Sequence, residues 1–391
     1  MTTRALAAAG VLVLAASAGA EPLRLRADAL ASTSSPAGLL VLDADSALRA
    51  GVSAEAVVWM AGSRELDDGA SGDVLVIAVH ARAGRASAEL GRFVSTLGAL
   101  RPVHVDGGAL TLRLPARFAL EAVAGVPVTP GIDQMATRSW DWVAGARASR
   151  RLGDWGSVGL AYAQRRDAGM LVNEEVGVDA GAAFDKRSDA AARIAYDVAN
   201  PGIAEAALTA SYRKGALRTE LYGVHRAASH LLPATSLFTV LGDVPSQRAG
   251  AVLTWRAAPR LDLIADAAAR YVDPDVGAEL VGRARLRLDA RGTSLVSGEL
   301  RRSGVGDDAW TGARLAARVA LPHALVASSE LELVMPDRDG GRGAVWPWGL
   351  VALARDAGAW QAAVAVEASA SAEYAHRVDV LGTLGRRWGV R

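Results

Sequence analysis

The sequence predicts an all-β chain: a transmembrane, antiparallel, up-and-down β-barrel of about 18–22 strands. Three observations predict it. In residues 248–271 one set of alternate positions reads Ala249, Ala251, Leu253, Trp255, then Leu261, Leu263, Ala265, Ala267, Ala269, Tyr271. The other set reads Arg248, Gly250, Thr254, Arg256, then Asp262, Asp266, Arg270, and Ala257-Ala258-Pro259 separates the two runs. That is a hairpin with one apolar and one charged face, and aromatics end the apolar rows where a lipid band meets water. Second, the unit recurs down much of the chain. Third, tight turns alternate with longer polar connections, as at the two rims of an outer-membrane barrel.

Residues 1–20 read as a secretory signal peptide. Arg4 gives the positive start, residues 5–16 a short apolar run, and Ala18-Gly19-Ala20 a small-residue cleavage site. Residues 21–391 are then the barrel. The 51% hydrophobic content coexists with 22% charge, and no later segment offers the 18 or so uncharged apolar residues that a membrane helix needs. A net charge of +1 sets up no global field for nucleic acid, and 0 cysteines exclude disulfides and thiolate metal sites.

Along the mature chain, Leu23, Leu25, Ala27 and Ala29 alternate with Arg24, Arg26 and Asp28. A short strand at 39–42, then strands at 52–60, 74–82, 88–93, 110–114 and 118–122, follow with less regular alternation. From Trp140 the rhythm sharpens. Trp142, Ala144 and Ala146 oppose Gly145 and Arg147; Val158, Leu160 and Tyr162 oppose Ser157 and Gly159; Val176, Val178 and Ala180 oppose Glu175, Gly177 and Asp179. Further strands place Ile194 and Tyr196 against Arg193 and Asp197, Leu208 and Tyr212 against Glu205, and Leu217 and Leu221 against Arg218 and Glu220. Leu280, Ala284, Leu286 and Leu288 oppose Glu279, Arg283, Arg285 and Arg287; Leu315 opposes Arg314 and Arg318; Leu331 and Leu333 oppose Glu330 and Glu332. Two rows, Trp346, Trp348, Leu350, Ala352 and Trp360, Ala362, Val364, Val366, are read as apolar faces, and Val378, Val380 and Leu384 form a last strand. Helical period would scatter Arg283, Arg285 and Arg287 around a cylinder, whereas period two collects them on one face, so the strand reading wins despite the high Ala content. A secreted β-sandwich also alternates, but its strands are usually shorter, around 5–6 residues.

Tight turns centre near Gly84, Ala116, Gly153, Lys186, Gly215, Pro259, Arg291, Pro322 and Gly358, with longer connections at 226–246, 303–308 and 337–345. The short rim is expected to be periplasmic, with both termini there. A charge on the lipid face costs roughly 2–4 kcal/mol at midplane, so the charged rows must face the lumen. The lumen-facing candidates are Arg193, Arg218, Glu220, Arg256, Asp262, Asp266, Arg270, Arg283, Arg285, Arg287, Glu299, Arg301, Arg314, Arg318, Glu330 and Glu332. Each is weighed against a plain structural role in cross-strand pairs that hold register, with Arg314/Arg318 facing Glu330/Glu332 as one such pairing.

A barrel of this strand number leaves an interior that side chains cannot fill. The first infolding candidate is residues 225–245, long and apolar for an exposed loop, with His230, Pro233, Phe238 and Asp243 as constriction residues. The second is residues 95–108. Catalytic signals are thin: no G-x-S-x-G, H-E-x-x-H or phosphate-cradling loop occurs, and no Asp is tied to Ser229, His225 or His230. Asp337, Asp339, Gly340 and Gly341 lack the downstream Glu of a calcium loop. No enzyme, cofactor or metal is expected.

Leu90-Gly91-Arg92-Phe93, the run 101–107, Leu110 to Leu114 and residues 121–127 resemble a pattern in porin-like bacterial outer-membrane proteins, in which a strand carrying Gly-Arg leads to an Asp-Gly turn and another strand. The whole chain, including 232–241 and 345–350, resembles uncharacterised outer-membrane proteins of myxobacteria. The resemblance implies location and fold alone. One departure is the end, Trp388-Gly389-Val390-Arg391, where many such barrels finish on an aromatic residue. The expected function is passive or weakly selective passage of small solutes or ions across the outer membrane, with the bilayer as partner. The alternative is a non-conducting barrel that anchors an envelope assembly through a protein partner.

Overall fold

The computed structural model describes residues 24–33, 37–63, 70–128, 141–227, 245–305, 309–337, 345–371 and 376–388. The signal peptide and the constriction candidates His230, Pro233, Phe238 and Asp243 lie outside the described residues. Twenty-two strands form among them. The first eleven are β1 Arg24–Ser32, β2 Ala37–Arg49, β3 Val52–Ser63, β4 Ala70–Ala83, β5 Ala86–Ser95, β6 Val103–Arg113, β7 Phe118–Pro127, β8 Trp142–Leu152, β9 Gly156–Asp167, β10 Met170–Ala183 and β11 Ser188–Asp197. The second eleven are β12 Gly202–Lys214, β13 Leu217–Arg226, β14 Ser246–Ala258, β15 Leu261–Val272, β16 Asp275–Arg287, β17 Leu295–Ser303, β18 Trp310–Leu321, β19 Leu325–Pro336, β20 Trp346–Ala357, β21 Trp360–Ser369 and β22 Arg377–Trp388.

Every strand pairs antiparallel with its sequence neighbours. β1 also pairs with β22, from Leu25 opposite Trp388 to Ser32 opposite Leu381, which closes the sheet. The fold is therefore an up-and-down β-barrel without a free edge, which satisfies the backbone groups that hydrocarbon cannot. Strands of 9 to 14 residues suit tilted membrane crossing.

Side-chain period two sets the two faces. On β16 the even positions, Leu280 and Leu286, are exposed, while Glu279, Arg283, Arg285 and Arg287 are half-buried on the other face. The exposed apolar band runs around the outside and includes Leu90, Leu160, Leu208, Leu300 (69% exposed) and Val351 (66%). So much bare Leu and Val fits a surface covered by lipid rather than water. Phe118, Tyr212, Trp255, Trp360 and Trp388 end the band at one rim, and Tyr162, Tyr196 and Tyr271 towards the other. Arg386 lies over both Trp360 and Trp388, 4.7 and 4.8 Å from the ring centroids, as a cation snorkelling at an interface does.

The tight turns expected from sequence all lie at one rim, together with the start of β1 and the end of β22. The opposite rim carries the longer connections. It also has short ones that the sequence pattern did not mark, at residues 168–169, 198–201 and 273–274. The short strand expected at 39–42 is part of the first half of the 13-residue β2. The row Trp346, Trp348, Leu350, Ala352 is a correction. Register sets Trp348 opposite Glu332 and Leu350 opposite Glu330, so this row shares the inner, charged face, and Val351 and Leu353 form the outer one. Residues 346–353 carry no charge to mark parity, so the partner strand decides it.

Candidate functional site

β5 and β6 do not stay in the wall over their whole length. β4 pairs with β3 up to Ala70, yet its pairing with β5 starts only at Ile77 opposite Arg92. The departure follows a glycine row: Gly91 faces Gly107, and Gly107 faces Gly125 on β7. Gly91 sits at φ 131°, and a Cβ there would run into the Ile77 carbonyl and Ala78 Cα. At Gly125 a Cβ would meet the Asp106 carbonyl oxygen at 2.6 Å. Isolated glycine inside a strand marks such close backbone approach, and here it forms a crease.

Beyond the crease, side chains replace the missing ladder. Arg92 donates from Nε and Nη2 to both Asp106 carboxylate oxygens (2.7 and 2.8 Å), and from Nη1 to the Val74 carbonyl (3.0 Å) and Asp73 (3.2 Å). One planar guanidinium thus braces the hairpin and takes up a β4 carbonyl that β5 no longer reaches.

The tip, residues 96–102, docks on the inner wall. Leu97, Ala99 and Leu100 are buried; Leu97 and Leu100, with Phe93 and Val105, pack against Val143, Ala161, Ala163, Ala195 and Ala204 of β8, β9, β11 and β12, and Ala99 lies against Gly177 of β10. The seat is cut by small residues. A Cβ on Gly145 would meet Leu97 Cδ1 at 2.6 Å, and one on Gly177 would meet Leu100 Cδ2 at 2.8 Å. Polar contacts fix the ends. Gly98 sits against Arg147 and Asp179. Arg147 itself binds Asp179 (Nε–Oδ1 3.0 Å, Nη2–Oδ2 2.6 Å) and Glu121 (2.8 Å). Arg101 donates to the carbonyls of Ala204 (2.7 Å) and Ala227 (3.1 Å), and lies 3.7 Å from Glu205.

Inward docking of the tip narrows the lumen, and the remaining wall is charged. Among the described residues, all the sequence candidates except Arg285 and Arg318 take part in ion pairs. Arg193 pairs with Glu205, and Arg218 with Glu220 (3.0 Å). Asp262 meets Arg256 (3.5 Å) and Arg287; Asp266 meets Arg248 (3.4 Å) and the Tyr222 hydroxyl (2.8 Å); Arg270 meets Glu279 (3.5 Å). Glu299 holds Arg283 (2.6 Å) and approaches Arg301 (3.9 Å), which also pairs with Glu332 two strands away. Arg314 binds Glu330 diagonally at 2.6 Å. Arg318 stands opposite Ser328, which corrects its expected pairing with the β19 glutamates, and Arg285 stands opposite Asp262 on β15.

Sequence reasoning named Arg101 within the second infolding segment, 95–108, and noted Arg92 and Arg147, but it gave none of the three a role at the site. Ser95 and residues 103–108 of that segment are strand, and only residues 96–102 form the tip. The readable signal was recurrent glycine: Gly91, Gly145 and Gly177 inside predicted strands, and Gly107 and Gly125 just beyond the ends of two others.

Outside the wall, turn carboxylates are well served. Asp289 accepts from the Thr293 hydroxyl (2.7 Å), the Thr293 amide (3.0 Å) and the Ser294 amide (2.6 Å); these bonds, led by the Thr293 hydroxyl, hold it below the usual carboxylate range. Asp337, once considered for calcium, pairs with Arg302, which lowers its pKa.

No family model and no curated protein matches the sequence. Among solved structures, the P pilus usher PapC translocation pore aligns over 95% of this chain and 99% of its own, at 10% identity and a TM-score of 0.53. An E. coli P pilus tip assembly intermediate, PapC-PapD-PapK-PapG, aligns over 94% of this chain and 61% of that one at 10% identity, with a TM-score of 0.52. Pseudomonas aeruginosa OccK2, solved with glucuronate, aligns over 94% and 97% at 11% identity and a TM-score of 0.43, too loose to carry an argument. These likenesses extend to the barrel and not to the myxobacterial resemblance. The chain has the closed, 22-stranded fold of a transmembrane β-barrel, with one hairpin turned into its lumen.

Proposed function

We propose that this chain is an outer-membrane pore for passive or weakly selective passage of small polar solutes and ions, narrowed by the β5–β6 hairpin. The observation that carries the reading is the two-faced wall. Apolar side chains cover the outside, while paired Arg, Asp and Glu line an interior too wide for side chains to fill. Arginines and carboxylates interleaved around the wall present local dipoles to the lumen, which orient dipolar solutes and bias ions without binding them tightly. The short-turn rim is then periplasmic, and residues 1–20 are the exported leader; N-terminal sequencing of the mature protein should begin at Glu21.

The test is swelling of liposomes reconstituted with the folded barrel in isotonic sugars of increasing size. Small sugars should enter and larger ones should be excluded at a sharp limit. Liposomes that hold inserted barrel but swell in none of them would refute the pore.

The docked hairpin also favours a second reading, a non-conducting barrel that anchors an envelope partner. Failure to swell, together with a stoichiometric partner retained through purification, is the outcome that selects it.

A further inference from the structure

Many carboxylates of the inner wall are balanced by an arginine, and among the described residues Glu55 and Glu89 are not. Glu55 on β3, His80 on β4 and Glu89 on β5 converge on the inner face near the short-turn rim, on three consecutive strands. His80 Nε2 lies 3.3 Å from Glu55 Oε1, and Nδ1 lies 3.8 Å from Glu89 Oε1. Among the described residues neither glutamate has an Arg or Lys partner. By contrast Glu121, Asp179, Glu205, Asp262, Glu279 and Glu299 each have one. His80 and Glu89 border a depression of about 500 Å³ lined also by Ser53, Arg82, Ser87 and Thr111, so they are reachable from solvent.

We infer that Glu55, His80 and Glu89 form a binding site for a divalent transition-metal cation, of which zinc(II) is the representative. One imidazole nitrogen and one oxygen from each carboxylate lie within 4.8 Å of one another. In a tetrahedral zinc site with bonds of about 2.0 Å, ligand atoms stand about 3.3 Å apart. The His80–Glu55 separation already has that value, and rotation of the half-exposed Glu89 side chain closes the third edge. The donor set, one borderline nitrogen and two hard oxygens, suits zinc and its neighbours better than calcium, which takes six or more oxygens. Two carboxylates flanking one imidazole repel each other when no cation lies between them, and a dication removes that repulsion. Three protein ligands leave a fourth position open towards the depression, where water or a passing anionic solute completes the shell.

The experiment uses the untagged full-length barrel, folded in detergent and stripped with chelator, titrated with Zn2+ alone against a metallochromic competitor. The folded state of each variant is checked by heat-modifiable gel mobility. Wild type should take up about one Zn2+ per chain. His80→Gln, Glu55→Gln and Glu89→Gln should each weaken binding roughly tenfold or more, and His323→Gln, in a turn of the same rim, should not. If His80→Gln does not fold, Glu89→Gln decides. Absence of stoichiometric uptake by wild type, or uptake unchanged in the folded glutamine variants, overturns the site.

Discussion

At the scale of single residues, Arg147 holds the most. It is the one cation between Glu121 and Asp179, and the hairpin's Gly98 rests against it. Arg147→Ala should cost about 1.5–3 kcal/mol in urea unfolding, because two carboxylates lose their charged donor. Arg147→Lys should recover part of this, since an ammonium restores charge but not the two-pronged contact with Asp179. Asp289 gives a pH-dependent counterpart. Its folded pKa is depressed, so its stabilisation is present above the unfolded carboxylate range, about pH 4, and fades as pH falls through the depressed value. Asp289→Ala should therefore unfold earlier than wild type at pH 7, and the gap should shrink on acidification below about pH 4. An equal gap at both pH values would show that the carboxylate charge is not what the turn uses. The charged rows around these residues were legible because arginine cannot sit in lipid; which partner each arginine takes was not, since strand register and diagonal reach decide it. Arg301 skips β18 to reach Glu332.

At the scale of the element, the β5–β6 hairpin depends on glycine at two places, its crease and its seat. Gly177→Leu fills the seat where Leu100 and Ala99 lie, and overpacking of this kind costs roughly 1–3 kcal/mol. The tip then lifts, and protease sensitivity within residues 96–102 should rise while the rest of the barrel stays resistant. Gly91→Ala strains a backbone at φ 131° and drives Cβ into the Ile77 carbonyl, so it should loosen the hairpin from β4 at a cost of about 1–3 kcal/mol. Unchanged proteolysis in both variants would mean that the tip is held otherwise. The strands themselves were readable from alternation wherever a charge marked one face. The row around Trp348 was misread for want of one, and the crease that turns the hairpin inward was hidden, although its segment 95–108 was named as infolding, because bending depends on which glycines become neighbours across strands. Gly91, Gly107 and Gly125 lie 16 and 18 residues apart in sequence, but adjacent in the sheet.

For the whole molecule, closure and an even strand number follow from the same alternation, and they bring both ends of the described barrel to the short-turn rim. The proposed pore, with a charged lumen partly occupied by a docked hairpin, has a definite electrical consequence: water-filled conductance limited by the tip. Single-channel recording in planar bilayers, comparing wild type with Gly177→Leu, tests this most directly. Discrete conductance steps from wild type, and larger steps from the variant whose seat is filled, are expected. Well-inserted barrels that give no steps, or steps of equal size in the two proteins, would contradict a pore narrowed by this hairpin.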